Sequence, residues 1–156
     1  MYARPTIPLQ PVAFSPAAPH DPDMAALITM ADPAPDSRIA ILTPGGLDLA
    51  CELIRRGCST ASIVRLDDRI RAHEADIVII PQATTADILE RAIPFARRML
   101  APMGVVVLRL AGDRTDLLYA WARRQLLLNG FTAIRVATAH GETLLGAELP
   151  LHGRIS

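Results

Sequence analysis

The chain contains no lysine, few aromatic side chains and no excess of either charge. All 16 basic residues are arginines, and 16 acidic residues balance them, so the formal net charge is zero. Proteins that bind nucleic acid through its phosphates usually carry an excess or a patch of cations. Aromatic residues are 4% of the 156 residues, which leaves few rings to stack on bases. The composition therefore indicates no nucleic-acid partner.

Cysteine and histidine are also scarce. The two cysteines, Cys51 and Cys58, are too few for a disulfide framework and do not have metal-ligand spacing. The four histidines are scattered along the chain and no pair has the spacing of ligands on one helix face: His20, His73, His140 and His152. We therefore expect no metal site and reduced thiols.

Long apolar runs and a leader-like N-terminus are missing too. A membrane-spanning helix needs about 20 apolar residues, and no stretch of this chain has them. No basic segment followed by a hydrophobic one marks a secretory signal. The chain is nevertheless 51% hydrophobic, enough for the core of one domain. We expect a cytoplasmic protein with no membrane contact.

Proline divides the chain. Residues 1–36 hold eight of the thirteen prolines: Pro5, Pro8, Pro11, Pro16, Pro19, Pro22, Pro33 and Pro35. Because proline fixes φ and lacks an amide donor, this stretch is predicted to be an extended arm or linker. A short helix is expected within it from about Pro22 to Met30, with Asp21 as its N-cap. The remaining residues, 37–156, are expected to form one α/β domain.

Strand-like and helix-like segments alternate from Ser37 onward. Strands are predicted at residues 39–43, 61–66, 76–80, 105–110, 132–137 and 143–149. Helices are predicted at residues 47–56, 68–74, 85–100 and 115–129. Continuously apolar strands separated by amphipathic helices are typical of a doubly wound, mostly parallel sheet with helices on both faces. We therefore predict a Rossmann-like α/β fold of about six strands, closed by a C-terminal antiparallel strand.

The sequence Thr43-Pro44-Gly45-Gly46 lies between the first strand and its helix. Glycines at such a junction let backbone amides approach a ligand at the N-terminus of a helix. This junction is shorter and poorer in glycine than a G-x-G-x-x-G loop. It predicts a crevice at the end of the first strand without naming its ligand.

The C-terminal half resembles class I S-adenosylmethionine-dependent methyltransferases. Residues 98–108 are similar to that family's helix, Leu-x-Pro-Gly-Gly and strand, with Met103 in place of the first glycine. Residues 121–134 match its long helix, Gly-Phe and following strand, and residues 143–149 match its closing antiparallel strand. The resemblance extends from about Arg38 to Leu151 and implies S-adenosylmethionine as the cofactor.

The resemblance also implies a set of cofactor-binding residues. The glycine junction would hold the methionine and ribose part of the cofactor, and Asp67 would accept hydrogen bonds from the ribose hydroxyls. Pro81 and Gln82 would lie near the transferred methyl group. The full set is Thr43, Pro44, Gly45, Gly46, Asp67, Pro81 and Gln82. No general base is indicated. The simpler interpretation, which we favour, is that an aspartate after the second strand caps the helix that follows.

Three features depart from the family's pattern and leave other functions open. First, Thr43 stands where the first strand of the family usually ends in an acidic residue, and the glycine loop that follows is about two residues short. Second, roughly one strand and helix unit is missing before Asp76. Third, Pro81-Gln82-Ala83 follows the fourth strand, where many members carry a motif such as Asn-Pro-Pro-Tyr or an acidic residue. An active methyltransferase is therefore one hypothesis. An inactive member that serves as an interaction or scaffold module, with a homodimer through the sheet edges, is a second. A dinucleotide-binding domain is a third.

Overall fold

The described part of the chain forms a six-stranded mixed sheet with helices on both faces. A computed structural model describes residues 22–43, 46–112, 114–139 and 141–151. The helices within these ranges are α1 (Pro22–Ala31), α2 (Leu47–Arg55), α3 (Ala86–Met99) and α4 (Thr115–Leu128). The strands are β1 (Arg38–Leu42), β2 (Thr60–Val64), β3 (Ala75–Ala83), β4 (Leu100–Leu110), β5 (Thr132–Ala139) and β6 (Glu142–Glu148). No helix in this part of the chain is both long and apolar enough to cross a bilayer.

The strands are ordered β2-β1-β3-β4-β6-β5 across the sheet. The first four are mutually parallel, and β6 runs antiparallel to both of its neighbours, β4 and β5. This confirms the predicted Rossmann-like α/β fold with six strands, mostly parallel pairing and an antiparallel closing strand.

Side chains of the central strands alternate between two buried layers. Ile39 and Ile41 of β1 pack with residues of α1 and α2 on one face of the sheet. Ala40 and Leu42 pack with residues of α3 and α4 on the other. Strand segments covered on both faces bury successive side chains, which explains the apolar runs Ile77–Ile80 in β3 and Val106–Leu108 in β4. The helices thus lie on both faces, as predicted.

Helix α1 packs on the sheet. Leu27, Ile28 and Ala31 are buried against the layer that contains Ile39 and Ile41. The helix expected from about residue 22 to residue 30 is therefore present, ending one residue later. Residues 1–21, including the expected N-cap, lie outside the described residues. The division of the chain at residues 36 and 37 stays a prediction.

The helix predicted at residues 68–74 is wrong. The segment is a series of turns, in which the Asp68 carboxylate accepts a hydrogen bond from the Arg65 amide at 2.9 Å. His73 has a φ of 60° and its Nδ1 lies 3.0 Å from the Leu100 carbonyl. A segment of seven residues is too short to be a stable helix without a large apolar face, and this one has few apolar residues. The aspartate after β2 therefore stabilises a turn rather than a helix.

The Gly-Phe passage after α4 is a helix terminus fixed by tertiary packing. Gly130 has a φ of 86°, a conformation that favours glycine. The amide of Phe131 donates to the Leu126 carbonyl at 3.0 Å, and that of Gly130 donates to the Leu127 carbonyl at 3.1 Å. This pair of bonds closes the helix. Phe131 is then 1% exposed and lies in the core beside α4.

Strand β4 begins with an irregular segment at the position of the family's Pro-Gly-Gly. Met103 has a φ of 70°, the left-handed backbone that a glycine would adopt without strain. A Cβ on Gly104 would lie 2.8 Å from the Ala101 carbonyl oxygen, so a side chain is excluded there. Met103 and Gly104 each form a 2.8 Å backbone hydrogen bond with Leu149, beyond β6. The irregular segment is thus tied to the end of the described chain.

Candidate functional site

The candidate site lies at the edge of the sheet where the parallel strands end. From β1 the chain continues to β2 on one side, and β3 follows on the other side of β1. In open α/β sheets, ligands bind outside the carboxyl ends of the strands where the order reverses in this way. The ends of β1 and β3, at Leu42 and Ala83, mark this switch point. The predicted site residues follow β1 and β2 or belong to the end of β3, so the topology brings them to one edge.

The junction after β1 packs closely against the strands. Thr43 is half-buried, and its amide donates to the Val64 carbonyl at 3.0 Å, which extends the pairing of β1 with β2 by one residue. Pro44 and Gly45 lie outside the described residues. Gly46 is buried, and a Cβ there would lie 2.5 Å from Cγ2 of Ile41. A glycine at this position therefore lets the junction pack directly on β1.

Gly46 also begins α2 as its N-cap, without a side-chain hydrogen bond to the first turn. The first amides of a helix have no partner within the helix, and they form its positive end. Asp48 supplies an acidic side chain to this turn. The local arrangement presents backbone donors at the end of β1, which is the feature that the glycine junction predicted.

The two aspartates after β2 have different surroundings. Asp68 is used within the turn, where its carboxylate accepts from the Arg65 amide and its own amide donates to the Arg65 carbonyl at 3.0 Å. Asp67 is exposed. An ionised carboxylate is an acceptor only and can take two hydroxyl donors. Both side chains are exposed, but only the Asp68 carboxylate is used within the turn, so Asp67 is the one whose carboxylate is left for a ligand.

Strand β3 is longer than predicted, and this corrects the placement of Pro81 and Gln82. They were expected to follow the strand, but β3 continues to Ala83 with an irregular register between Ile80 and Ala83. A strand tolerates proline at such an irregularity because the missing donor costs no regular ladder bond. Pro81 is buried and Gln82 is exposed. Gln82 is therefore the accessible one of the pair.

An ion pair beside Pro81 was missed by the sequence analysis. Nε of Arg109, on β4, donates to the Pro81 carbonyl at 2.9 Å, and its Nη1 lies 3.3 Å from Oε1 of Glu142, on β6. The side chains are 17% and 30% exposed. The signal available in the sequence was the single charge, Arg109, inside an otherwise apolar strand. The pair joins three strands at the carboxyl edge and fixes the backbone at Pro81.

Another ion pair lies at the opposite edge of the sheet. Arg38, at the start of β1, forms hydrogen bonds of 3.1 and 2.9 Å through its guanidinium to the Asp76 carboxylate, at the start of β3. These bonds lower the pKa of Asp76 and raise the pKa of Arg38. Because the pair lies at the amino ends of the strands, it belongs to the scaffold and not to the candidate site. Among the described residues, no cluster of three or more histidine, cysteine or acidic side chains could hold a metal ion.

Comparisons with known proteins identify the architecture. No family model and no curated protein matches the chain. Among solved structures, it is similar to a 16S rRNA methyltransferase of T. thermophilus in complex with AdoMet and guanosine, with a TM-score of 0.63 and 14% identity over 87% of this chain and 41% of that one. Human N-acetylserotonin methyltransferase in complex with SAM has a TM-score of 0.62 and 13% identity over 82% and 52%.

A precorrin-6y C5,15-methyltransferase from Geobacter metallireducens is similar over nearly all of its own length. The TM-score is 0.58, with 17% identity over 81% of this chain and 87% of that one. This chain has the methyltransferase fold. The resemblance seen in the sequence is therefore confirmed at the level of the fold. Yet the chain spans only about half the length of the first two of these structures.

Proposed function

We propose that this protein binds S-adenosylmethionine at the carboxyl edge of its sheet and transfers the methyl group to an acceptor. The observation that carries the proposal is the strand, glycine junction and helix at the switch point of a methyltransferase fold. Buried Gly46 leaves no room for a side chain against Ile41 and begins α2 with uncapped amides. Solved structures of similar fold include methyltransferases, two of them in complexes with AdoMet or SAM.

The residues at this edge fit the cofactor in chemistry. Within the junction Thr43-Pro44-Gly45-Gly46, the two glycine amides and the first amides of α2 would offer backbone donors at the positive end of the helix. The Thr43 amide is already bonded to the Val64 carbonyl, and Pro44 has no amide donor. The exposed Asp67 would accept hydrogen bonds from the ribose hydroxyls. When bound, the cofactor supplies a methyl group on a sulfonium, which is an electrophile without further activation by the protein.

The contribution of the protein to transfer would then be orientation. Holding two reactants in line is worth several kcal/mol of barrier, and it needs no acid or base in the site. Pro81 and Gln82 are the two residues predicted to lie near the transferred methyl group, and Gln82 is the exposed one. Arg109 holds the carbonyl of the neighbouring Pro81. We propose that the fixed end of β3 positions Gln82 toward the acceptor.

Calorimetric titration with S-adenosylhomocysteine tests the proposal. We expect micromolar binding by the full chain. Asp67→Ala should weaken it roughly tenfold or more, because a hydrogen bond to a charged group contributes about 1.5–3 kcal/mol. Asp36→Ala is the matched control, because this exposed aspartate precedes β1 at the amino edge of the sheet. The Asp36→Ala variant should bind the ligand as the wild type does. Gly45→Val should abolish binding while leaving the fold largely intact.

Two results would overturn this function. Folded protein that gives no heat at high ligand concentration would favour a scaffold module without cofactor. That alternative is supported by Thr43, which stands where the resemblance implies an acidic residue. Heat with NAD or NADP instead would favour a dinucleotide-binding domain.

Two smaller expectations accompany the proposed function. The cysteines are unpaired, with Cys51 exposed and Cys58 buried, which supports a cytoplasmic location. The second is a homodimer through a sheet edge, as expected from the sequence, and the outer surface of β2 indicates which edge.

A further inference from the structure

Strand β2 is the last strand on its side of the sheet, and its outer backbone is available for pairing. The Thr43 amide donates to the Val64 carbonyl, so Val64 directs its backbone groups toward β1. Backbone direction alternates along a strand, so Ala61 and Ile63 direct theirs outward. Within the described residues, β2 pairs with β1 alone. Such an edge is a template for a further strand.

The edge lacks the features that usually prevent pairing. Proteins protect exposed edges with charged side chains, prolines or bulges. The five residues Thr60–Val64 contain no charge and no proline, and their register with β1 is regular. Thr60, Ile63 and Val64 are β-branched, which favours an extended strand. The edge is therefore short but chemically suited to accept another strand.

An apolar stripe on α2 runs beside this edge. Leu47 and Ile54 are 66% and 56% exposed, and Cys51 lies between them at helical spacing and is also exposed. Arg56, on another side of the same helical segment, lines a groove of about 370 Å³ with residues of α1. The stripe consequently lies on the flank of α2 that faces away from α1, toward the outer side of β2.

The side chain of Ile63 connects the stripe to the strand. Ile63 lies 3.9 Å from the Cβ position of Gly46, at the start of α2, so it points to the face that α2 covers. It is nevertheless 42% exposed. Helix α2 therefore leaves the outer part of β2 uncovered, with room for a neighbouring element on the same face.

The edge is complementary to itself. If two copies of β2 run antiparallel about a two-fold axis at Ser62, Ala61 of each copy is opposite Ile63 of the other. These are the residues with outward backbone groups, so both pairs form ladder hydrogen bonds. Thr60 is opposite Val64, and no like charges meet. Residues 1–21 are a poor alternative strand because Pro5, Pro8, Pro11, Pro16 and Pro19 cannot donate to a ladder.

We propose that two copies of this chain associate through the outer edge of β2, forming a continuous sheet across a two-fold axis at Ser62. The apolar stripes of the two α2 helices cover each other and the exposed part of Ile63. This assembly leaves the carboxyl edge of each sheet open, so dimerisation and cofactor binding can be tested separately.

Sedimentation equilibrium of the full chain tests the dimer. We expect a species of twice 16.8 kDa. Ile63→Lys should raise the dissociation constant at least tenfold, about 1.4 kcal/mol, because it brings charges to a desolvated edge. Leu128→Lys is the matched control: it places the same charge at a leucine that is 68% exposed on α4, on the other face of the sheet, and should leave the dimer unchanged.

A second variant and a crosslink guard against misfolding as an explanation. Ile63→Pro removes an outward amide without adding charge, and an edge strand tolerates this change. It should also give monomers, with an unfolding transition like that of the control. Cys51 belongs to the apolar stripe of α2, so the proposed dimer brings its two copies to facing stripes. A bismaleimide should link Cys51 of the two copies, while Cys58, 5% exposed, stays unreactive.

Three results would overturn the proposal. A wild-type chain that is monomeric at every concentration would leave the edge to residues 1–21 or to a strand from another protein. A dimer that survives both Ile63 variants but is lost in Leu128→Lys would place the interface on α4. A dimer without a Cys51 crosslink would also place the interface away from α2.

Discussion

The inner strand β4 and the edge strand β2 differ in how deeply their side chains are buried. In β4, Val106, Val107, Leu108 and Leu110 are all fully buried, at 0% exposure. In β2, none of the five residues is buried. The two strands lie in the same sheet with β1 and β3 between them, and all four are parallel. The buried side chains of β4 stabilise the fold, whereas the uncovered side chains of β2 are available for contact with a ligand or a second copy.

The difference has a simple cause. Strand β4 has a neighbour on each side and helices on both faces, whereas β2 has one described neighbour and is partly covered by α2. Its other face opens into a groove of about 350 Å³ that Thr60, Ser62 and Val64 help to line. A ligand or a second copy can therefore be added on the β2 side without rearranging the core.

The largest change in the free energy of unfolding should come from matched leucine truncations, one in β4 and one next to β2. Leu108→Ala in β4 should lower the free energy of unfolding by about 2–5 kcal/mol, because it opens a cavity in a closed core. Leu66→Ala, in the turn after β2, removes the same atoms from a half-buried site and should cost less than about 2 kcal/mol. Urea unfolding measures both changes. Equal decreases in the free energy of unfolding would mean that the region next to β2 is as tightly packed as β4.

A smaller effect of opposite sign is expected at the start of β4. Met103→Gly should raise the free energy of unfolding by about 0.5–1 kcal/mol, since glycine accepts the φ of 70° without strain. Met103 is 65% exposed, so little packing is lost. Met103→Ala keeps the strained backbone and serves as the control. If Met103→Ala stabilises as much as Met103→Gly, the gain does not come from the backbone.

The smallest effect is expected for the ion pair between the two strands that separate β2 from β4. Its members are Arg38 on β1 and Asp76 on β3. The pKa of Asp76 is lowered in the folded protein, mainly by its hydrogen bond with Arg38. Its stabilisation is therefore present above the unfolded pKa and is lost as the pH falls through the folded pKa. Asp76→Asn should cost less than about 1 kcal/mol at neutral pH, because the side chain is 40% exposed.

The pH dependence provides the check on this pair. In urea unfolding from neutral to acid pH, the curves for wild type and Asp76→Asn should converge at low pH, where both side chains are uncharged. Asp36→Asn, at an exposed position, should track the wild type throughout. Curves that stay parallel would mean that the charge of the Asp76 carboxylate does not contribute to stability.

Prediction from sequence succeeded where the pattern was long and periodic. The buried strands, helices α2, α3 and α4 and the closing hairpin have the type and order that the sequence predicted. It failed at residues 68–74, where a short polar segment with helix-compatible residues is held in turns by Arg65, His73 and Leu100. Local propensity is weak over seven residues, so the contacts with distant segments decide the conformation.

The candidate site was only partly accessible to sequence reasoning. The glycine junction and Asp67 could be proposed because a glycine turn and an acidic residue at strand ends have recognisable local signals. The ion pair of Arg109 and Glu142 could not be proposed, since its members lie 33 positions apart and meet only when β6 pairs with β4. The extension of β3 through Pro81 depends on the same region, where Arg109 bonds the Pro81 carbonyl.

The sequence by itself determined the α/β class, the alternation of elements and the resemblance to a methyltransferase, because these depend on periodicity and on local turn residues. Only the tertiary structure decided which aspartate after β2 is held in a turn, which charges meet at the carboxyl edge and which strand is left at the border of the sheet. These are properties of pairs of segments, and the pairing depends on how the whole sheet buries its apolar faces.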